Sequence, residues 1–166
     1  MQIDFSKGDN TIGDFKGWIS PVGSTNLESI IHDLGEDPAR GAITTFTGVV
    51  RADSDSSKKR VTKIEIESWE GKGTESMNKI CEEIGQKYDL LGLRIIHLEG
   101  EIGLGDPIVF IVISSAHRKE AFGALEDAIN AYKHRSPVWK KEIYDDGTGE
   151  WITTATQDSH PDQARQ

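Results

Sequence analysis

The stretch RKEAFGALEDAINAYK, Arg118 to Lys133, constrains the fold more than any other part of the chain. Its apolar residues Ala121, Phe122, Leu125, Ala128, Ile129 and Tyr132 recur at the spacing i, i+1, i+4, i+7, i+8, i+11. That spacing predicts a long helix with one face buried against another layer. The strand-like run PIVFIVISS (107–115) feeds directly into it. A straight helix from Arg118 to Lys133 holds its ends roughly 22 Å apart. Both ends are basic, with His117, Arg118 and Lys119 in the first turn and Lys133, His134 and Arg135 in the last.

The two basic ends differ in meaning. At the C-terminal end cations complement the helix dipole and need no ligand to explain them. At the N-terminal end they oppose it, and the unpaired N–H groups there already favour an anion. Either a phosphate or carboxylate binds at that turn, or the long side chains bend into solvent. A further basic group follows the helix stop, where SPVWKK alternates Val138 and Lys140 on one face with Trp139 and Lys141 on the other. Arg51 ends another strand-like run, GAITTFTGVV (41–50), which reads as buried. Several basic groups with apolar and aromatic neighbours suit a pocket for a small anion better than a groove for a long polyanion. The net charge of −9 points the same way, because a general nucleic-acid binder needs a positive field.

Elsewhere, NLESIIHDLG (26–35) reads as a helix capped by Asn26 and stopped by Gly35. VTKIEIESW (61–69) alternates imperfectly as a strand, and TESMNKICEEIGQKY (74–88) puts Met77, Ile80, Cys81, Ile84 and Tyr88 on one helix face. LRIIHL (93–98) reads as a strand joined to 107–115 through Gly-rich EGEIGLGD, and VWKKEIY and EWITTA as two short strands. Strands and helices mix without regular βαβ alternation, so the fold class is α+β. The expected organisation is a single domain over 1–156 with a polar tail over 157–166. No run approaches the roughly 20 apolar residues of a membrane span, and no secretory signal opens the chain. The single Cys81 excludes an internal disulfide, fits a reducing cytoplasm, and reads as a buried, inert thiol. Neither a metal-ligand motif nor a phosphate-binding glycine loop is present, so no metal or cofactor is expected.

Three segments, GAITTFTGVVR, GLGDPIVFIVISSAHRKEAFGALEDAI and YKHRSPVWKKE, together resemble the large, catalytic subunit of molybdopterin synthase. The resemblance runs collinearly from about Gly41 to Trp151. It implies an α/β hammerhead-type fold with an additional small β subdomain. It also implies sulfur transfer to a cyclic pyranopterin monophosphate, which forms the dithiolene of molybdopterin. The sulfur donor implied is a small ubiquitin-like subunit ending in a Gly-Gly thiocarboxylate, and the assembly a homodimer within a heterotetramer. The family's essential lysines fall on Lys133 and Lys140. Its substrate-binding groups fall on Arg51, His117 and Arg118, with Lys141 at a commonly basic position and Val49 and Val50 offering backbone contacts. Lys140 is read as proton shuttle and Lys133 as anchor near the thiocarboxylate. Where some members carry a basic residue just before the tryptophan matching Trp151, this chain has Glu150.

Since one straight helix separates Arg118 from Lys133, these residues serve either two sites or one pocket completed across a two-fold dimer. Competing with the synthase reading are a non-catalytic module that captures a ubiquitin-like tail and a binder of a small phosphate ligand.

Overall fold

The computed structural model describes residues 13–54 and 56–152. In chain order its elements are β1 (Asp14–Pro21), α1 (Leu27–Asp33), β2 (Ala42–Val49), β3 (Val61–Ser68), α2 (Lys72–Lys87), β4 (Gly92–Gly103), β5 (Pro107–Ser115), α3 (Arg118–Arg135), β6 (Val138–Tyr144) and β7 (Gly149–Ile152). The strands form one sheet in the order β2-β5-β4-β3-β6-β7, with β1 joined to β4 in parallel and the other neighbours antiparallel. This is the α+β class expected. The boundary between domain and tail, and Thr153–Ala155 of the last expected strand, lie outside the described residues. No helix among the described residues is long and apolar enough to cross a membrane.

Strand β4 organises the sheet and is longer than its sequence suggested. The expected strand, 93–98, continues through the glycine-rich segment to Gly103. Gly100 explains this, because its φ of +111° is open to glycine and lets the strand turn without ending. Before that turn β4 pairs with β1 and β5; after it, Gly100 and Ile102 face Ile66 and Ile64 of β3. The second half thus carries β3, β6 and β7, the small β unit. The imperfect alternation in β3 has a local cause as well. A register shift between Val61 and Lys63 allows Val61, Ile64 and Ile66 all to be buried.

Helix α2 packs on β1 and β4, and α3 on β2 and β5. Met77, Ile80, Cys81 and Ile84 are buried on α2, as the periodicity predicts. On α3 the buried residues are Ala121, Ala124, Ala128 and Tyr132. Phe122, assigned to the buried stripe from its spacing, is instead 60% exposed. The alanines let the helix lie close to the sheet, and Phe122 sits one helical step beyond that line. Strand β2 also departs from the reading of 41–50 as buried. Among the described residues it pairs only with β5, so it is an edge strand, and Ile43 and Val49 are 43% and 49% exposed.

Strand β1 escaped the sequence reading. It is secured by Arg94, fully buried in β4, whose guanidinium donates to the Asp14 carbonyl at 2.8 Å, to the Asp14 carboxylate, and to Asp33 of α1 at 2.7 Å. The N-terminal cap of α1 is as expected, with the Asn26 side chain accepting from the Ser29 N–H at 2.9 Å.

Candidate active site

Three chain segments that are distant in sequence meet around a cleft of about 770 Å3. The end of β2 supplies Thr47, Gly48, Val49 and then Arg51; the last turn of α3 supplies Tyr132, Lys133 and His134; β6 supplies Val138 and Lys140. Local chemistry places each of them. At Gly48 a Cβ would meet a Val109 methyl at 2.9 Å, so only glycine lets β2 approach β5 this closely beside its bulge. Beyond the bulge, the Val50 N–H donates to the Asp106 carbonyl at 3.1 Å, and the Gly105 N–H to the Val50 carbonyl at 2.8 Å. Those two bonds fix the point at which Arg51 leaves the sheet.

Helix α3 ends where Ser136 adopts extended backbone ahead of Pro137. Its last turn is tied to α2, because the Ser76 hydroxyl donates to the Arg135 carbonyl at 3.1 Å. Strand β6 then returns beside β3 with Lys140 opposite Ile66 and Val138 opposite Ser68. Inward alternation turns Val138, Lys140 and Glu142 the same way.

Glu142 was not singled out in the sequence, although it lies two residues from Lys140 on one strand and so shares its face. Its carboxylate is 3.3 Å from the Lys140 ammonium and only 3% of the residue is exposed. The Ser54 hydroxyl donates to it, as does the Tyr144 hydroxyl at 3.3 Å, which also lies 3.3 Å from Glu150. A buried carboxylate partnered this way holds the lysine ammonium in one place. A smaller hollow of about 90 Å3, shared by Val49, Val50, Arg51, Asp53, Lys140 and Glu142, adjoins this ion pair.

Arg51, Lys133, Lys140 and Val49 therefore share one cleft, with Val50 in the adjoining hollow. His117 and Arg118 do not line it. They are exposed at the opposite end of α3, roughly 22 Å from Lys133 by helical rise. Lys141 points away from Lys140 along the strand, and its ammonium lies 5.5 Å from the Trp151 ring centroid. The cleft also contains two residues that the sequence reading did not assign to a site, His97 of β4 and Tyr132 of α3. Their rings meet edge to face at 5.8 Å. His97 had no visible role inside the strand run LRIIHL, and Tyr132 read only as part of the helix stripe. Cys81 takes no part in the cleft; burial pushes its thiol up to about 12.

What this arrangement can do follows from its charges. Exposed Arg51 and Lys133 and half-buried Lys140 offer donors to one or two anions, above a floor that is apolar and neutral. Such a site suits an anionic small molecule with an uncharged body.

The chain is similar to known proteins over most of its length. A family model described as the MoaE protein matches residues 23–135. The match reaches back to Gly23, further than the resemblance seen from Gly41, and so takes in α1. The molybdopterin synthase catalytic subunit of Bacillus subtilis (strain 168) is 39% identical over 142 residues, covering 82% of this chain and 88% of that protein. That of Thermoplasma volcanium is 39% identical over 114 residues, covering 69% and 82%. The crystal structure of molybdopterin synthase from Staphylococcus aureus superimposes with a TM-score of 0.72 at 30% identity, covering 84% of this chain and 97% of that one. With a family model spanning most of the chain and relatives matched over most of their own length, the chain belongs to the MoaE protein family.

Proposed function

We propose that this chain is the catalytic subunit of a molybdopterin synthase, transferring sulfur from a thiocarboxylated small subunit to a cyclic pyranopterin monophosphate. The observation that carries the reading is the convergence of Arg51, Lys133 and Lys140 from three separate elements on one cleft in an acidic chain of this family. The substrate phosphate and the partner's C-terminal group are both anionic, so converging cations hold both reactants in reacting geometry. Sulfur attack and loss of the substrate's oxygens require proton delivery and stabilised oxyanions. Lys140, held by Glu142, is assigned the proton transfers. Lys133, at the outer end of α3, anchors the partner's tail. Val49 and Val50 border the substrate, and Lys141 supports the rim from the far face of β6. The single buried thiol suits a reducing cytoplasm.

His117 and Arg118 join the site only through a second copy of the chain. Strand β2 offers the means. Its outer edge, unpaired among the described residues, reads AITTFTGV, without the charges or proline that usually protect an edge strand. Antiparallel pairing of two β2 strands about a two-fold axis would set the Ala42 end of one against the Val49 end of the other. Ala42 pairs with Ser115, two residues before His117, and Val49 lines the cleft. That arrangement would bring His117 and Arg118 of the partner subunit toward the Lys133 cleft, as the length of α3 requires if all serve one substrate.

The test is incubation with the pyranopterin precursor and a thiocarboxylated small subunit, followed by detection of the dithiolene product. Lys133→Ala and Lys140→Ala should each reach the folded state, Lys140→Ala at reduced stability because buried Glu142 loses its cation, and lose product formation by about 100-fold or more. Near-wild-type turnover in both, with the partner saturating, refutes the assignment.

A further inference from the structure

Between the cations of the cleft lie two polar side chains that the proposed sulfur transfer does not use. His97 is 6% exposed and Tyr132 9%, yet both line the cleft. The Nδ1 atom of His97 lies 3.0 Å from the Leu98 carbonyl, an acceptor only, so Nδ1 carries the proton. Nε2 is then left with a lone pair, and no described residue donates to it. The Tyr132 hydroxyl likewise has no hydrogen-bond partner among the described residues. Burial pushes the imidazole down to about 4 and the phenol up to about 12, so both groups are neutral through the working pH range. The rings are mostly buried but their free polar atoms open to the cleft, so water meets them and a ligand can take its place.

The cleft is thus divided. Arg51, Lys133 and Lys140 stand where solvent reaches them, whereas His97 and Tyr132 lie deeper, among Ile66, Val109 and Val138. A phosphate would gain nothing from a neutral imidazole acceptor, and an apolar ligand would leave both groups unsatisfied. An uncharged, flat heterocycle carrying ring N–H and C=O or ring nitrogen groups satisfies them, its N–H donated to Nε2 and an acceptor atom facing the phenol.

We infer that His97 and Tyr132 form a neutral subsite that binds the heterocyclic ring of the substrate, separately from the cations that bind its phosphate. The inference rests on the substrate class proposed above and adds the residues that select the ring. His97 and Tyr132 are specificity residues; no proton is moved through them.

The experiment compares two probes by calorimetry, the cyclic pyranopterin monophosphate and inorganic phosphate. His97→Phe keeps an aromatic ring against Tyr132 but removes the Nε2 acceptor, together with the Nδ1–H bond to the Leu98 carbonyl. It should weaken pyranopterin binding by about 10- to 100-fold, the loss typical of one unmade buried hydrogen bond, and leave phosphate binding within about two-fold. His97→Gln, whose side-chain oxygen can accept in place of Nε2, should recover part of the loss. Tyr132→Phe removes a single hydroxyl, leaves the packing intact, and should show the same split to a smaller degree; it carries the test if His97→Phe melts early. Wild-type affinity for the pyranopterin in both Phe variants overturns the inference, as does an equal loss for both probes. If the unaltered protein binds phosphate but no pyranopterin, the substrate assignment itself fails and the inference with it. Unchanged variants beside a binding wild type sink the inference alone.

Discussion

The helix that separates Arg118 from Lys133 makes a quantitative prediction about mixed dimers. Its rise holds the two residues roughly 22 Å apart, so no single copy can direct both at one small substrate. If both serve one reaction, each active pocket draws Lys133 from one subunit and Arg118 from its partner. Arg118→Ala and Lys133→Ala homodimers then each contain two defective pockets. In a mixed dimer, one pocket combines the intact Lys133 of the Arg118→Ala chain with the intact Arg118 of the Lys133→Ala chain. The other pocket carries both defects. Equal mixing with free exchange makes about half of the dimers mixed, so about one quarter of all pockets are whole and activity should return to about a quarter of wild type. The assay is dithiolene formation before and after exchange, with exchange followed by native mass spectrometry of tagged chains. Demonstrated exchange between two inactive variants, with no recovery, refutes the shared pocket. So does a wild-type protein that is active as a monomer.

Four other predictions test separate parts of the structure. Removing the terminal Gly-Gly from the small subunit should abolish sulfur transfer while leaving much of the subunit association, measured by calorimetry, in place; unchanged transfer contradicts tail entry into the cleft. Cys81, buried with its thiol raised to about 12, should resist alkylation by iodoacetamide in the native protein and react on unfolding, as read by mass spectrometry. At Asp14, burial pushes the carboxyl up, but the hydrogen bond and charge of Arg94, with Lys16, outweigh it and hold it below its ordinary value. A carboxyl depressed in the folded state stabilises fully above its unfolded pKa, and that stability is lost as pH falls through the folded value. Asp14→Asn should therefore lower the melting temperature at neutral pH and flatten its decline below about pH 4. Arg94→Ala, which leaves a cavity and unpaired carbonyls beneath β1, should cost about 3 kcal/mol in denaturant unfolding.

Much of the local structure is legible in the chain because it depends on short-range chemistry. Asn26 with Ser29 caps α1, the stripe from Met77 to Ile84 buries one face of α2, and alternation in VWKKEIY turns Lys140 one way and Lys141 the other. The basic residues were visible for the same reason, since charge in an acidic chain stands out wherever it lies. So was the conflict between Arg118 and Lys133, because helical rise converts their sequence separation directly into distance.

What a strand pairs with is another kind of information, and only the tertiary structure supplies it. The segment Asp14–Pro21 becomes a strand by lying parallel to β4, about 80 residues away, with a buried arginine to hold it there. Run 41–50 is as apolar as a central strand but ends at an edge, because burial is set by its neighbours and not by its own composition. Phe122 has the spacing of a core residue and faces outward, since the alanines beside it set which line of the helix meets the sheet. His97 and Tyr132 carry no shared motif, being 35 residues apart on a strand and a helix, and become a pair only when α3 is laid across the sheet. The charges of the site were written in the sequence; its neutral floor exists only in the fold, because hydrogen-bonding groups acquire direction and vacancy only when their surroundings are assembled.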